Sequence, residues 1–241
     1  LSINNAQITE SIAEQGGAVY AAGGSVEITD SELSNFTSGL QGGAICSLNS
    51  NLTLTGTSID NCSVTQKGGA IYKAGTGDFV MQDSVNNSSS ITNNAAAGTG
   101  GGIFIADGAS GSYNLAGSIS NNSISGGIGV GSAIHFGQNL TADVTLNVAM
   151  NGYNNHDSSH NPVIFVDINN SLLTLRLGSS MSISDLCCIF MRYPSKISVE
   201  EQLFNEIVLD SDLNDFLDYI AGNQKLIEKS AGLIINNFSL R

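Results

Sequence analysis

Two histidines and an aspartate lie within five residues of one another and are the side chains best suited to bind a metal ion. His156, Asp157 and His160 belong to the segment NGYNNHDSSHNP. Imidazole and carboxylate groups are common zinc ligands. The composition of the segment is typical of a loop, so the four-residue spacing does not place both imidazoles on one helix face. No further ligand is evident, and we expect a solvated loop with neither a metal ion nor a cofactor.

Carboxylates in pairs would indicate a glycoside hydrolase, whose chemistry needs two opposed acids. The acids here occur singly, although Asp30 and Asp60 could approach each other on adjacent units of a repeat. A polysaccharide lyase would need a basic side chain, and Lys67 and Lys73 are the only lysines or arginines before Arg176. We therefore expect no catalytic residues, with a carbohydrate-active enzyme (hydrolase or lyase) as the alternative. The scattered acids are Asp30, Asp60, Asp78, Asp83, Asp107, Asp143 and Asp167.

The alternating threonines Thr53, Thr55 and Thr57 suggest a third, less favoured possibility, an ice-binding ladder. A ladder requires the same pattern in neighbouring units. The corresponding segments SVEIT and DFVMQ lack it, so ice binding is the weakest of the alternatives.

Four cysteines are present, without a C-x-x-C pair of the kind that binds metals. Cys46 and Cys62 fall at different corners of one repeat unit. A disulfide bond between them is not expected, because the two Cα atoms would be too far apart. Cys187 and Cys188 are adjacent. We expect free, buried thiols.

A repeated phrase carries these side chains along the chain. GGAVY begins at Gly16, GGAIC at Gly42 and GGAIY at Gly68. The aliphatic position recurs after 26, 26, 32, 31 and 30 residues. Such a period is typical of a solenoid, in which equivalent residues of stacked units form a column. The aliphatic column is Val19, Ile45, Ile71, Ile103, Ile134 and Ile164, and the position after it is Tyr20, Cys46, Tyr72, Phe104, His135 and Phe165.

Each unit also contains an alternating segment such as NLTLT and then a Ser-aliphatic-x-Asn motif, as in Ser58–Asn61. Alternation with period two indicates a half-buried strand. Three short strands per unit predict an all-β fold, a single-stranded right-handed parallel β-helix of about seven coils. Asparagines at a shared corner, including Asn61 and Asn93, are expected to bond to one another along the axis.

The pattern changes near the carboxyl end. Residues 1–194 are predicted to form the β-helix, and apolar residues at helical spacing predict a helical hairpin over 195–230. Residues 231–241 are predicted to return as a strand. Because the last coil of a solenoid has unpaired strand edges, we interpret the helices as a cap.

Charge and hydropathy exclude several classes of partner. The chain of 241 residues has a formal net charge of −13. Nucleic acids and anionic lipids require a basic patch, so neither is an expected partner. No stretch approaches the ~20 apolar residues of a membrane span, so direct membrane insertion is not expected.

The GGAV, GGAI and GGAIY phrases at Gly16, Gly42 and Gly68, spaced by one coil, resemble the repeats of the polymorphic outer-membrane protein family, and the resemblance covers about Gly16 to Ile183. Those proteins are bacterial surface adhesins of the autotransporter type, with a right-handed β-helix as passenger. The resemblance implies a non-catalytic adhesin that is secreted or displayed on the cell surface, anchored in the outer membrane through a part missing from this chain. Its partner would be a host-cell protein or glycan.

The expected contact surface combines one face of the β-helix with the histidine-containing loop. If Ile71 points inward, the alternation of a strand turns Tyr72 outward, and a one-residue slip would reverse every face. Binding residues are also expected on loops that a rigid scaffold holds. We expect the isolated domain to be a monomer. The candidate binding residues are Tyr72, Phe104, His135, Tyr153, Asn154, Asn155 and His156.

Overall fold

The residues that the structure describes form a parallel β-solenoid of about six turns. The structure, a computed structural model, describes residues 1–126, 129–149, 156–157, 164–166, 174–177, 189–191 and 196–199. All strand pairings between neighbouring coils are parallel, and no helix occurs in the described part of the chain. The all-β solenoid predicted from the repeat is confirmed.

Three strand faces surround one core, and long strands bend from one face to the next. The face that includes the GGA phrases is formed by the start of β3 (Val19–Thr29), the start of β5 (Ile45–Thr55), β8 (Ile71–Ala74), β12 (Ile103–Ile105), β15 (Ile134–Phe136), β18 (Ile164–Val166) and β20 (Ile189–Met191). We call it the GGA face. The next face, called the alternating face, is formed by β1 (Ser2–Asn4), the ends of β3 and β5, β9 (Phe79–Gln82), β13 (Ser110–Ser120), β16 (Thr141–Ala149), β19 (Thr174–Leu177) and β21 (Lys196–Val199).

The third face follows the alternating face around each coil and carries the Ser-aliphatic-x-Asn motif. It is formed by β2 (Gln7–Gln15), β4 (Glu32–Gln41), β6 (Ser58–Asp60), β7 (Ser63–Val64), β10 (Ser90–Thr92), β11 (Ala95–Ala96), the end of β13, β14 (Ser123–Ile124) and β17 (His156–Asp157). We call it the motif face.

The aliphatic column of the GGA face lies inside, as the sequence predicts. Val19 is paired with Ile45, and Ile45 with Ile71, and the three are between 0 and 4% exposed. The same column continues through Ile103, Ile134 and Ile164, all completely buried. Because one slip of register would expose the whole column, this burial confirms the predicted phase of the strands.

The two glycines of each phrase have different tasks. The first, as in Gly68, has φ of 73°, a left-handed conformation that glycine adopts without steric cost. The second, as in Gly69, has no such φ, but a Cβ there would overlap the carbonyl oxygen of Gly101 in the next coil. The first glycine therefore turns the chain, and the second lets successive coils approach.

An internal asparagine ladder forms one position beyond the predicted one. The Oδ1 atom of Asn94 accepts from the Cys62 amide at 2.9 Å, and that of Asn122 accepts from the Asn94 amide at 3.1 Å. The side chains of Asn94 and Asn122 are both completely buried. The predicted column is outside: Asn61 donates to Asn35 at 2.6 Å, but Asn93 donates to Asp60 instead of to Asn61.

The carboxyl-terminal predictions fall almost entirely outside the described residues. The structure places a strand, β21, at the first residues of the predicted helical cap, and it pairs with β19. The solenoid therefore extends at least to Val199. The rest of the 195–230 cap and the returning strand at 231–241 lie outside the described residues.

Candidate functional site

The predicted aromatic positions form a continuous stack on the outer side of the GGA face. The rings of Tyr72 and Phe104 are 5.5 Å apart between centroids and 5° from parallel. Phe104 and His135 are separated by 4.7 Å, and His135 and Phe165 by 5.2 Å. Tyr72 and Phe104 belong to a small apolar cluster separate from the main core that contains Ile71, which agrees with the outward orientation predicted for Tyr72. We call Tyr72, Phe104, His135 and Phe165 the aromatic column.

The aromatic column is outside the core and yet is shielded from solvent. Tyr72 is 9% exposed, Phe104 2% and His135 6%. Lys67, in the segment that precedes the Gly pair, covers part of it: its Nζ atom lies 4.6 Å from the centre of the Phe104 ring. The three predicted contact residues on this face therefore offer very little surface to a ligand. Tyr20, the equivalent residue on β3, is 55% exposed.

Burial changes the acidity of the groups at this column. Desolvation raises the pKa of the Cys46 thiol to about 11, and it also raises the pKa of the Tyr72 hydroxyl. The Cys62 thiol, inside the solenoid, likewise has its pKa raised to about 11 by desolvation. Both cysteines are free and buried, as predicted, and neither has the character of a reactive thiolate. Cys187 and Cys188 lie outside the described residues.

The predicted loop surface is described only at two residues of the backbone. His156 and Asp157 form β17, which pairs with Ser123 and Ile124 of β14. The first histidine of the predicted pair, His156, thus lies on a strand of the motif face and not in a loop. The other predicted residues of this segment, Tyr153, Asn154, Asn155 and His160, lie outside the described residues.

Several of the scattered aspartates that the structure describes are held singly in hydrogen bonds within the fold. Asp60 accepts from the Thr92 hydroxyl and the Asn93 amide, both at 2.7 Å. Asp78 accepts from the backbone of Ser112, and Asp107 from that of Gln138, each at 2.9 Å. Asp30 has different partners, Ser84 and Asn87, and the strand register places Ser34, not Asp30, opposite Asp60.

Threonines do not form the ladder that ice binding would need. Thr53 is flanked by Glu27 and Val80 in the neighbouring coils, and Thr57 is buried. Thr55 is paired with Thr29 on one side but with Gln82 on the other.

A groove that the repeat pattern did not reveal runs along the corner between the alternating face and the motif face. It encloses about 510 Å³ and is open to solvent. Four successive coils contribute to it, through residues 5–7, 30–32, 56 and 58, and 87–88. We call it the corner groove.

The wall of the corner groove is fixed by a loop that reaches back across two coils. The Ser84 hydroxyl donates to Asp30 Oδ1 at 2.5 Å, and the Asn87 amide donates to the same oxygen at 2.9 Å. Gly56 lies between these coils with φ of 56°, and a Cβ there would come within 2.5 Å of both Asp30 and Ser84. A side chain at position 56 would therefore displace the hydrogen bond between Ser84 and Asp30.

The electrostatic character of the corner groove is negative. The two side-chain hydrogen bonds from Ser84 and Asn87 lower the pKa of Asp30, which is therefore ionised at neutral pH. Glu32, the second carboxylate of the lining, accepts from Gln7 Nε2 at 3.1 Å. None of the residues that line the groove is a lysine or an arginine.

Among the described residues, no group of three or more His, Cys, Asp or Glu side chains could hold a metal ion. Within the same part of the chain, no helix is long and apolar enough to cross a membrane. Comparisons of the chain with protein-family models, with curated proteins and with solved structures gave no match.

Proposed function

We propose that this chain is a non-catalytic binding domain, an adhesin that presents one side of a rigid solenoid to a host-cell protein or glycan at the cell surface or after secretion. The observation that carries the proposal is the corner groove. It extends over four coils, it is polar, and a hydrogen-bonded loop fixes its wall. Binding sites are commonly built from such preformed concave surfaces.

The state of the carboxylates supports binding over catalysis. Asp60, Asp78 and Asp107 each accept hydrogen bonds that connect neighbouring coils or turns. A general acid or nucleophile has to be free to exchange a proton or attack a substrate. Aspartates engaged in the scaffold are unsuited to that task.

Two parts of the proposed architecture are expectations from the sequence. The solenoid is taken to wind right-handed, since parallel strand crossovers nearly always do. The segment after Val199 is taken to include the helical cap that closes the last coil.

The proposal is tested by exposing the purified chain to cultured host cells and to an immobilised glycan panel, and by incubating it with soluble polysaccharides. Saturable binding without release of new reducing ends or of unsaturated sugars is the expected result. Cleavage products that increase linearly with protein concentration would contradict it.

The specific observation in favour of a second function, a glycoside hydrolase, is that Asp30 and Glu32 both line the corner groove. Hydrolysis would need one of them protonated as the general acid and the other ionised. Asp30, whose pKa is lowered by its two side-chain hydrogen bonds, would be the ionised carboxylate of the pair. A Glu32→Gln variant that abolished the release of reducing ends, in a chain otherwise able to bind the polysaccharide, would favour this function.

A further inference from the structure

The length of the corner groove suits an extended ligand. Its lining comes from four successive coils, so it spans three coil spacings of about 4.8 Å, or about 14 Å along the solenoid axis. A compact metabolite would fill only part of such a site. A chain molecule laid parallel to the axis would contact every coil.

The lining offers hydrogen-bond donors and acceptors in nearly every coil. Asn5, Gln7 and Asn87 supply side-chain amides, and Ser58 supplies a hydroxyl that is half-exposed. Asp30 and Glu32 supply carboxylate oxygens, which only accept. A ligand that matches this lining must carry groups that donate as well as accept, at short and regular intervals. Sugar hydroxyls have this property.

Charge separates the classes of sugar. Two carboxylates and no lysine or arginine line the groove, and the chain as a whole has a net charge of −13. A uronate, sialylated or sulfated chain would bring further negative charge against them, and like charges at close range cost free energy. An uncharged chain avoids this repulsion.

The groove is also fixed before any ligand arrives. Ser84 and Asn87 hold Asp30 from two coils away, and the absence of a side chain at Gly56 leaves room for that contact. A site held in its binding geometry loses less conformational entropy when a ligand binds.

We propose that the corner groove binds an uncharged glycan chain, lying along the solenoid axis, with Asp30 and Glu32 accepting hydrogen bonds from its hydroxyls. This inference rests on the proposed binding function and names the site and the ligand class for it.

The test uses the full chain and an array of oligosaccharides of four to six units. The chain is produced in a host without N-linked glycosylation, because Asn87 of the groove lies in an Asn-Ser-Ser sequence that a glycosylating host could modify. The array carries neutral hexose and N-acetylhexosamine chains, uronate chains and sialylated chains. We expect binding to neutral chains only, and a loss of about tenfold in affinity in Asp30→Asn and in Glu32→Gln, because a weakened acceptor contributes less to binding.

The matched control is Asp60→Asn. Asp60, like Asp30, is half-buried and accepts two side-chain hydrogen bonds, but it does not line the groove. Its affinity for the neutral chain should equal that of the parent. Thermal unfolding of all three variants identifies any loss that comes from misfolding, and Glu32→Gln retains the size and position of an exposed side chain.

The other outcomes are separable. If neutral chains bind but neither groove variant weakens them, the groove is not the site, while the binding function stands. If host cells bind the chain but no glycan of the array does, the glycan inference is wrong and the binding function again stands. The same holds if a tetralysine peptide, which stands for a basic protein ligand of the negative groove, competes for host-cell binding and neutral chains do not. If neither cells nor glycans bind, both fail.

Discussion

At the scale of single residues, Lys73 is the most unusual side chain of the fold. It points into the core, is completely buried, and donates from Nζ to the carbonyl oxygen of Thr76 at 3.1 Å. The same Nζ atom lies 5.9 Å from the centre of the Tyr113 ring. Desolvation lowers the pKa of Lys73 from 10.5 to about 8, although the nearby Asp78 acts in the opposite direction. A protonated lysine here costs stability at neutral pH.

Replacing Lys73 with Met should therefore stabilise the protein at pH 7, by about 1 to 3 kcal/mol, since the buried charge is removed and the volume is nearly kept. In the parent, the unfolded chain holds the lysine proton more tightly than the folded one. The parent should thus gain stability between pH 8 and 10.5, and its difference from Lys73→Met should shrink over that range. Urea unfolding at pH 7 and pH 9.5 measures both effects.

The control for that measurement is Lys67→Met, the same change at the half-exposed lysine above Phe104. It should lower stability slightly through the lost ring contact. A Lys73→Met variant less stable than the parent at pH 7 would mean that the Thr76 hydrogen bond outweighs the desolvation of the charge.

Asn94 gives a second prediction at this scale. Its amide joins two coils: Oδ1 accepts from the Cys62 backbone, and Nδ2 donates to the carbonyl of Ile59 at 3.2 Å. Asn94→Ala leaves those buried groups without partners, and we expect a loss of about 2 to 4 kcal/mol. Asn114→Ala, at an exposed position of the alternating face, should change stability by less than about 0.5 kcal/mol. Equal effects of the two substitutions in thermal unfolding would show that the ladder adds nothing.

At the scale of elements, the second glycine of each phrase controls how closely coils pack. Gly69→Ala places a Cβ against the carbonyl of Gly101, and the main chain has to shift. We expect it to lose about 1 to 3 kcal/mol. Gly39→Ala serves as the control, because its Cβ would meet nothing closer than 3.8 Å. If both variants unfold at the same temperature as the parent, the coils have more freedom to separate than the contact distances imply.

The elements also show which features a local pattern can reveal. The Ile71 column and the Gly68 turn were predicted because each repeat unit specifies them within a few residues. Phe104 is covered by Lys67 from the preceding coil and lies between the rings of Tyr72 and His135, and alternation alone does not contain that information. The Ser-aliphatic-x-Asn motif ends at Asn93, the first of two adjacent asparagines, and therefore predicts the ladder one position too early. The buried partner is the second, Asn94.

The corner groove escaped prediction for a related reason. Its wall depends on a bond between Ser84 and Asp30, which are 54 residues apart in sequence. The extra length of this coil, 32 residues where the two before it have 26, was the visible signal. An insertion in one coil of a regular solenoid marks a place where the surface departs from the repeat, but its path across two coils is set by tertiary contacts.

At the scale of the whole molecule, stability should vary along the axis. In the part of the chain that the structure describes, β1 and β2 pair on one side only, with β3 and β4, whereas β5 has neighbours on both sides. Hydrogen exchange followed by mass spectrometry should therefore find amides of residues 2–15 less protected than those of residues 45–60. Similar protection of both segments would indicate that something covers the first coil.

The pairing of Ile45 with Ile71 has a consequence for the length of the molecule. Residues 45–70 make up one complete coil of 26 residues, and deleting them would join Ala44 directly to Ile71 and recreate the phrase GGAIY. Val19 would then face Ile71, and Leu33 would face Ile91, so the inner columns would close without a mismatch. The length of the solenoid can therefore change in steps of one coil, each about 4.8 Å along the axis. Removing or adding a whole coil would thus shorten or lengthen the solenoid, and with it the spacing between surfaces at its two ends, without a change to the core residues that remain.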